Sequence, residues 1–246
     1  MKVGQYPDLV VNIYIAADRQ EYHFLTSNDS AILEFSQAFY SSYRDTIYIR
    51  NPRDLQKYNS LSKILIHEYI HIFVDHYIED PPLWFNEGMA VYFSNDLSID
   101  REFNFIINYI MGNSRELREM IHYYPENRIE WESFYAKAAL AVKYLYQKKR
   151  NQFYHFWELA TREDNFRSIF VKSFHLTPLD FSQKFEEYSK SHFKMEILLA
   201  STGLIWSILP LILILGMIRK TIKNRKIKKQ WEREEVLVQN IKQDEV

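Results

Sequence analysis

Residues 61–73 read LSKILIHEYIHIF, and the five from His67 to His71 decide how the rest of the chain is to be read. The apolar spacing of the stretch is that of a helix. On an α-helix, positions i and i+4 stand one above the other on a single face, so His67 and His71 can both offer an imidazole nitrogen to one zinc ion. Glu68 is angled beside that face, where it can take a proton from a water molecule without itself holding the metal. The plainer alternative is two helical histidines on a polar edge.

A catalytic zinc needs a third protein ligand and an open fourth position. The chain has no cysteine, which excludes thiolate zinc sites, disulfides and cysteine nucleophiles together, so any zinc must rest on histidine and carboxylate. Residues 81–94, PPLWFNEGMAVYFS, supply the candidate: Glu87 follows His71 by 16 residues. Pro81 and Pro82 break the chain after the first helix and let it turn back. A second helix is expected from Trp84 to Ser94 with Glu87 in its first turn, and Gly88 leaves room for close helix packing.

His67 to His71 followed by Trp84-x-x-Glu87-Gly88 resembles the gluzincin group of zinc peptidases, most closely the peptidase MA-like domains, whose second zinc-binding helix carries a Trp-x-x-Glu-Gly signature. The spacing is shorter than in thermolysin or the large zinc aminopeptidases. The similarity runs over roughly residues 9–149. It implies a zinc peptidase with His67, His71 and Glu87 as ligands and Glu68 as general base. It also singles out Tyr135, because gluzincin aminopeptidases carry a Tyr-x-Lys-Gly-Ala signature whose tyrosine steadies the oxyanion. This chain has Tyr135-Ala-Lys-Ala-Ala, with Ala138 in the place of the glycine. An ordinary helical tyrosine is the other reading of Tyr135, and His122 is the reserve for its role. By analogy with the family, the strand around Ile47 to Ile49 is expected to pair its edge with an extended substrate peptide. No exopeptidase motif of the Gly-x-Met-Glu-Asn kind is found, which favours endopeptidase action.

The first sixty residues suggest two strands around a short helix: LVVNIYIA from Leu9 to Ala16, a helix capped by Asp18 through about Thr26, and DTIYIR from Asp45 to Arg50. Helical spacing then predicts helices at about 60–77, 84–95, 99–111, 114–124, 131–149, 151–160, 163–174 and 178–192. His76, five residues past His71, is rotated off the ligand face, and His23, His155, His175 and His192 have no partner spacing. The expected class is α+β and mostly helical, a small strand-containing N-terminal part followed by a zincin-like helical part. One C-terminal transmembrane helix completes it.

That last helix is expected over 195–219, because Ile197 to Ile218 carries no charge in 22 residues, long enough to cross about 30 Å of hydrocarbon. Pro210, Gly203 and Gly216 are tolerated in a membrane helix. Arg219, Lys220, Lys223, Arg225, Lys226, Lys228 and Lys229 follow it, against Lys184, Lys190 and Lys194 before it. The excess places the 220–246 tail in the cytoplasm and the catalytic domain, residues 1–194, outside. Such export calls for a leader, and MKVGQYPDLVVNIYI has neither a basic n-region nor an unbroken apolar h-region; either a leader precedes the numbered chain, which is the expectation, or the topology is inverted.

Composition excludes little else. A formal net charge of −1 provides no global field for nucleic acid. The 18 Tyr and 17 Phe suit either a packed core or a peptide-gripping groove. A catalytically silent, membrane-tethered scaffold with the same fold is the rival reading, and its usual mark would be a lost ligand or base. Zinc-dependent hydrolysis of a non-peptide bond shares every residue named.

Overall fold

Thr46–Ile49 is the middle strand of a three-stranded sheet, and its side chains are buried on both faces. The strands are β1 (Asn12–Ile15), β2 (Ala38–Ser41) and β3 (Thr46–Ile49), in the order β1-β3-β2. β1 runs parallel to β3 with Ile13 opposite Ile47, and β2 runs antiparallel with Tyr40 opposite Ile47. The coordinates are a computed structural model describing residues 7–26, 36–41, 44–53, 60–112, 114–125, 128–193, 210 and 212–225.

Alternation along a strand sends successive side chains to opposite faces. Tyr48 meets helix α1 (Arg19–Thr26) through Tyr22 and Ala16, whereas Ile47 and Ile49 meet helix α2 (Leu61–Tyr77) through Ile64 and Ile72. Asp18 caps α1, its Oδ1 accepting from Glu21 N–H at 2.8 Å, as the sequence predicts. Ser60 caps α2.

The helical part continues with α3 (Leu83–Phe93), α4 (Ile99–Ile110), α5 (Arg128–Lys148), α6 (Arg150–Ala160), α7 (Phe166–Phe174) and α8 (178–193). Aromatic side chains, among them Phe85, Phe153, Phe156, Trp157 and Phe170, fill this core. Phe85 of α3 packs on Phe156 and Phe166, and Trp84 stacks on Phe181 at 5.5 Å. α3 is thereby clamped on one side by α6, α7 and α8. On its other side it lies against α5, and Gly88 is the reason it can come so close. A Cβ there would stand 2.7 Å from the Ala138 carbonyl carbon and from Val142 Cγ2, and closer still to the Ala138 oxygen.

Two expectations fail. The helix predicted over 114–124 is reduced to one 3-10 turn, Leu117–Glu119. α3 starts after Pro82 with no side-chain cap, and its first two N–H groups donate instead to the carbonyls of Ile121 and Met120, both at 2.9 Å. Carbonyls spent on capping a neighbouring helix are not available to continue one of their own. The strand at Ile47–Ile49 is not an edge either. Both its sides are paired, and the outer position next to α2 belongs to β2, a strand the sequence reading leaves out.

The chain divides into two units, 1–191 and 192–246. Most of the expected 195–219 span lies outside the described residues. Of that span only 210 and 212–219 are described, the latter within a helical stretch 212–225 with Ile212 to Leu215 exposed, and among the described residues no helix is long and apolar enough to cross a membrane.

Gly88→Ala is expected to cost about 3 kcal/mol, the upper end of overpacking penalties, because the intruding methyl meets main chain rather than a movable side chain. Chemical denaturation of the metal-free protein measures it; a loss below about 1 kcal/mol would mean that α3 and α5 separate freely.

Candidate metal centre

The two histidines of α2 and the carboxylate of α3 converge on one point. His67 Nε2 and His71 Nε2 are 3.1 Å apart, and each is 3.6 Å from Glu87 Oε2. A triangle with those sides has a circumradius of about 2.0 Å, which is the ordinary zinc–nitrogen and zinc–oxygen bond length. These three residues could hold a metal ion, and they are the three that the sequence singles out.

The donor set has the chemistry of a cation site. Glu87 is 3% exposed, and its Oε2 is buried without a hydrogen-bond partner. Its other oxygen, Oε1, accepts from the Tyr124 hydroxyl. One carboxylate oxygen is thus fixed by a neutral donor while the second is left facing two imidazoles. Burial alone would raise the Glu87 pKa, yet the adjoining His71 and His67 and the Tyr124 hydroxyl outweigh it and hold the carboxyl below its usual range. Two imidazole nitrogens and a carboxylate oxygen meeting at one point are a donor set that a divalent cation can bridge.

His71 is oriented from behind. Its Nδ1 donates to Asn86 Oδ1 at 2.8 Å, and the Asn86 amide nitrogen donates to Asp75 Oδ1 at 3.1 Å. With the amide oriented by Asp75, the proton sits on Nδ1 and the lone pair on Nε2, the tautomer a metal requires. Asp75 lies one turn past His71 on α2, and Asn86 immediately precedes Glu87, so ligands and supports share the same two helices. Among these supports the sequence reading misses Asn86, Asp75 and Tyr124. Spacing marks Asp75 at i+4 from His71, but nothing local separates Tyr124 from the other tyrosines.

Glu68 is buried beside the histidines, where burial pushes its pKa up to about 7. His71 and the main-chain N–H of Tyr40, on β2, act in the opposite direction. Tyr135 of α5 sets its ring edge-on to His67, centroids 6.3 Å apart, and edge-on to Trp131 at 4.5 Å. Burial and then the charge of Glu87 keep its hydroxyl pKa well above the usual tyrosine value, so it remains a hydrogen-bond donor. His122 is exposed with its ring against Tyr123 and lines neither compartment of the groove described next.

The ligands open onto a groove between β2, α2 and α5. Two adjoining cavities, of about 130 and 190 Å³, share Ser36, Ala38, His67, Glu68, Trp131 and Tyr135 as lining. Among the described residues no strand pairs with the outer side of β2, which faces this groove. Gln37 carbonyl accepts from Arg50 N–H at 3.0 Å, and the antiparallel alternation then leaves the main-chain groups of Ala38 and Tyr40 on the outer side.

Tyr124→Phe and Asn86→Ala are each expected to weaken divalent-cation binding by about 10- to 100-fold, read by chelator competition with added zinc as the probe, although neither residue is among the three converging groups. Glu68 makes a second expectation. Its folded-state pKa of about 7 exceeds the ordinary 4.5, so the metal-free folded protein holds that proton more tightly than the unfolded chain does. The stability it contributes is present in acid and is lost as the pH rises from about 4.5 through about 7. The stability difference between the wild type and Glu68→Gln should shift against the wild type across that window. A difference independent of pH would contradict the burial of this carboxyl. Neither protein-family models nor curated proteins match the chain, so the reading of the site stands on this geometry.

Proposed function

We propose that the protein is a membrane-anchored zinc peptidase of the gluzincin kind, cleaving extended peptide segments within the chain rather than at its ends. The observation that carries this reading is the buried, unpartnered Glu87 Oε2 meeting two histidine Nε2 atoms at 3.6 Å, with a buried carboxyl, Glu68, next to one of them in sequence. Zinc suits a His₂Glu set with one open position, and when bound it polarises a carbonyl and brings the pKa of a water towards neutrality.

The chain's own residues do the rest. Glu68 takes a proton from the attacking water and delivers it to the departing amine. Burial, the largest influence, brings it to about 7, and the charge of a neighbouring cation would favour its ionised, basic form at neutral pH. Tyr135 keeps its proton and can donate it in a hydrogen bond to the developing oxyanion. The outer edge of β2 turns the Ala38 main-chain groups towards an extended peptide, which supports a peptide as the substrate. The uncharged run Ile197 to Ile218, with basic residues directly after it, supports an anchor with the catalytic domain outside the cytoplasm.

Glu68→Gln is expected to lower cleavage of a peptide library by about 10³-fold while zinc affinity stays close to wild type. Tyr135→Phe is expected to reduce kcat by about 10²- to 10³-fold with little change in KM. Both are measured on the full chain in detergent, with zinc content by elemental analysis. Wild-type cleavage by Glu68→Gln would sink the mechanism; a purified chain that neither holds nor takes up zinc would point to the silent scaffold.

A further inference from the structure

Behind the metal centre a second buried polar cluster has no part in the reaction just described. Lys137, on α5, is 1% exposed and forms an ion pair with Glu186 Oε1 of α8 at 2.6 Å. Its Nζ also donates to the Arg115 carbonyl and stands over the Tyr109 ring, 5.1 Å from the centroid. Glu186 accepts three further bonds: from Leu117 N–H at 3.0 Å on the same Oε1, and from the Tyr109 hydroxyl at 2.7 Å on Oε2 and 3.2 Å on its carbonyl.

Two of these bonds, Lys137 to the Arg115 carbonyl and Leu117 N–H to Glu186, grip the segment 115–125. That segment carries the Met120 and Ile121 carbonyls that cap α3, and then the Tyr124 hydroxyl that holds Glu87 Oε1. Leu117 and Met120 are buried, but the segment also borders a cavity of about 560 Å³ lined by Arg115, Met120, Phe134 and Lys137. Apolar packing therefore does not fill the space behind it. We infer that the Lys137–Glu186 pair is a positioning device for the metal centre: it sets the 115–125 segment so that Tyr124 holds Glu87 with its second oxygen free for the ion. This rests on the metal reading of His67, His71 and Glu87, though not on any peptidase activity.

A double-variant cycle on zinc affinity tests it, using the full chain in detergent, zinc alone as the probe and chelator competition as the readout. Lys137→Met is expected to weaken zinc binding by about 10-fold in the wild-type background and by less than about twofold in the Tyr124→Phe background, since the tether acts through Tyr124. A purely structural role would lower Tm while leaving zinc affinity unchanged, or would produce losses that multiply in the double variant; either result overturns the inference. Should Lys137→Met fail to fold, Tyr109→Phe, which deletes a single donor to Glu186, carries the same cycle with a smaller expected loss of about threefold. If Tyr124→Phe itself leaves zinc affinity unchanged, the inference falls while the three-ligand reading stands; if the wild type binds no zinc, the metal reading falls and the inference falls with it.

Discussion

Where α3 crosses α5 at Gly88, main chain meets main chain, and that contact governs where Glu87 and Tyr135 stand relative to each other. With the Ala138 carbonyl seated where a Cβ would be, α3 cannot slide or rotate without a clash. Glu87 is the residue before Gly88, so the contact sets how far its carboxylate reaches towards α2. On the other helix, Ala138 is three residues past Tyr135 and adjacent to Lys137, so the same contact registers the tyrosine beside His67 and the lysine of the second cluster. The aromatic clamp of Trp84 and Phe85 then keeps α3 from backing away.

Close packing of this kind brings an ionised carboxylate into the interior, which by itself costs several kcal/mol. The fold offsets only part of it. Tyr124 satisfies Oε1 and the half-buried imidazoles lie near Oε2, yet no donor is given to Oε2. A core built for stability alone would place an apolar side chain here. Tyr124 also has to remain protonated to do its work, and burial together with the charge of Glu87 ensures that it does. Acceptor and donor thus reinforce each other, and the unsatisfied oxygen is the one atom that breaks the pattern of a closed network.

Much of this was legible in the residues because it is local. The i, i+4 histidines follow from helical geometry, the turn between the helices from Pro81 and Pro82, the cap at Asp18 from side-chain chemistry, and the close approach from Gly88. What could not be read is set by partners far along the chain. Residues 114–124 have helical spacing, but their main-chain groups are taken by α3, Lys137 and Glu186. β2 is four residues long and gains its order by pairing with β3, and once it does so Ile47–Ile49 ceases to be an edge. Tyr124 and Glu186 act across 37 and 69 residues of sequence, distances at which periodicity carries no signal.

The correction from β3 to β2 also changes what the edge can do. Tyr40 N–H is directed to Glu68, so the outer side of β2 is tied to the very carboxyl that would serve as base. On the peptidase reading, an extended peptide added to this edge meets one main-chain donor already engaged at Tyr40 and finds its free pairing groups at Ala38, although the Ala38 carbonyl also accepts from Ser36 Oγ at 2.5 Å. Since a slip of one residue along a strand turns every side chain to the opposite face, pairing at Ala38 would allow a single register. The strand that holds the peptide and the residue that activates the water are then positioned by one hydrogen bond, and a peptide in the wrong register would have to break it.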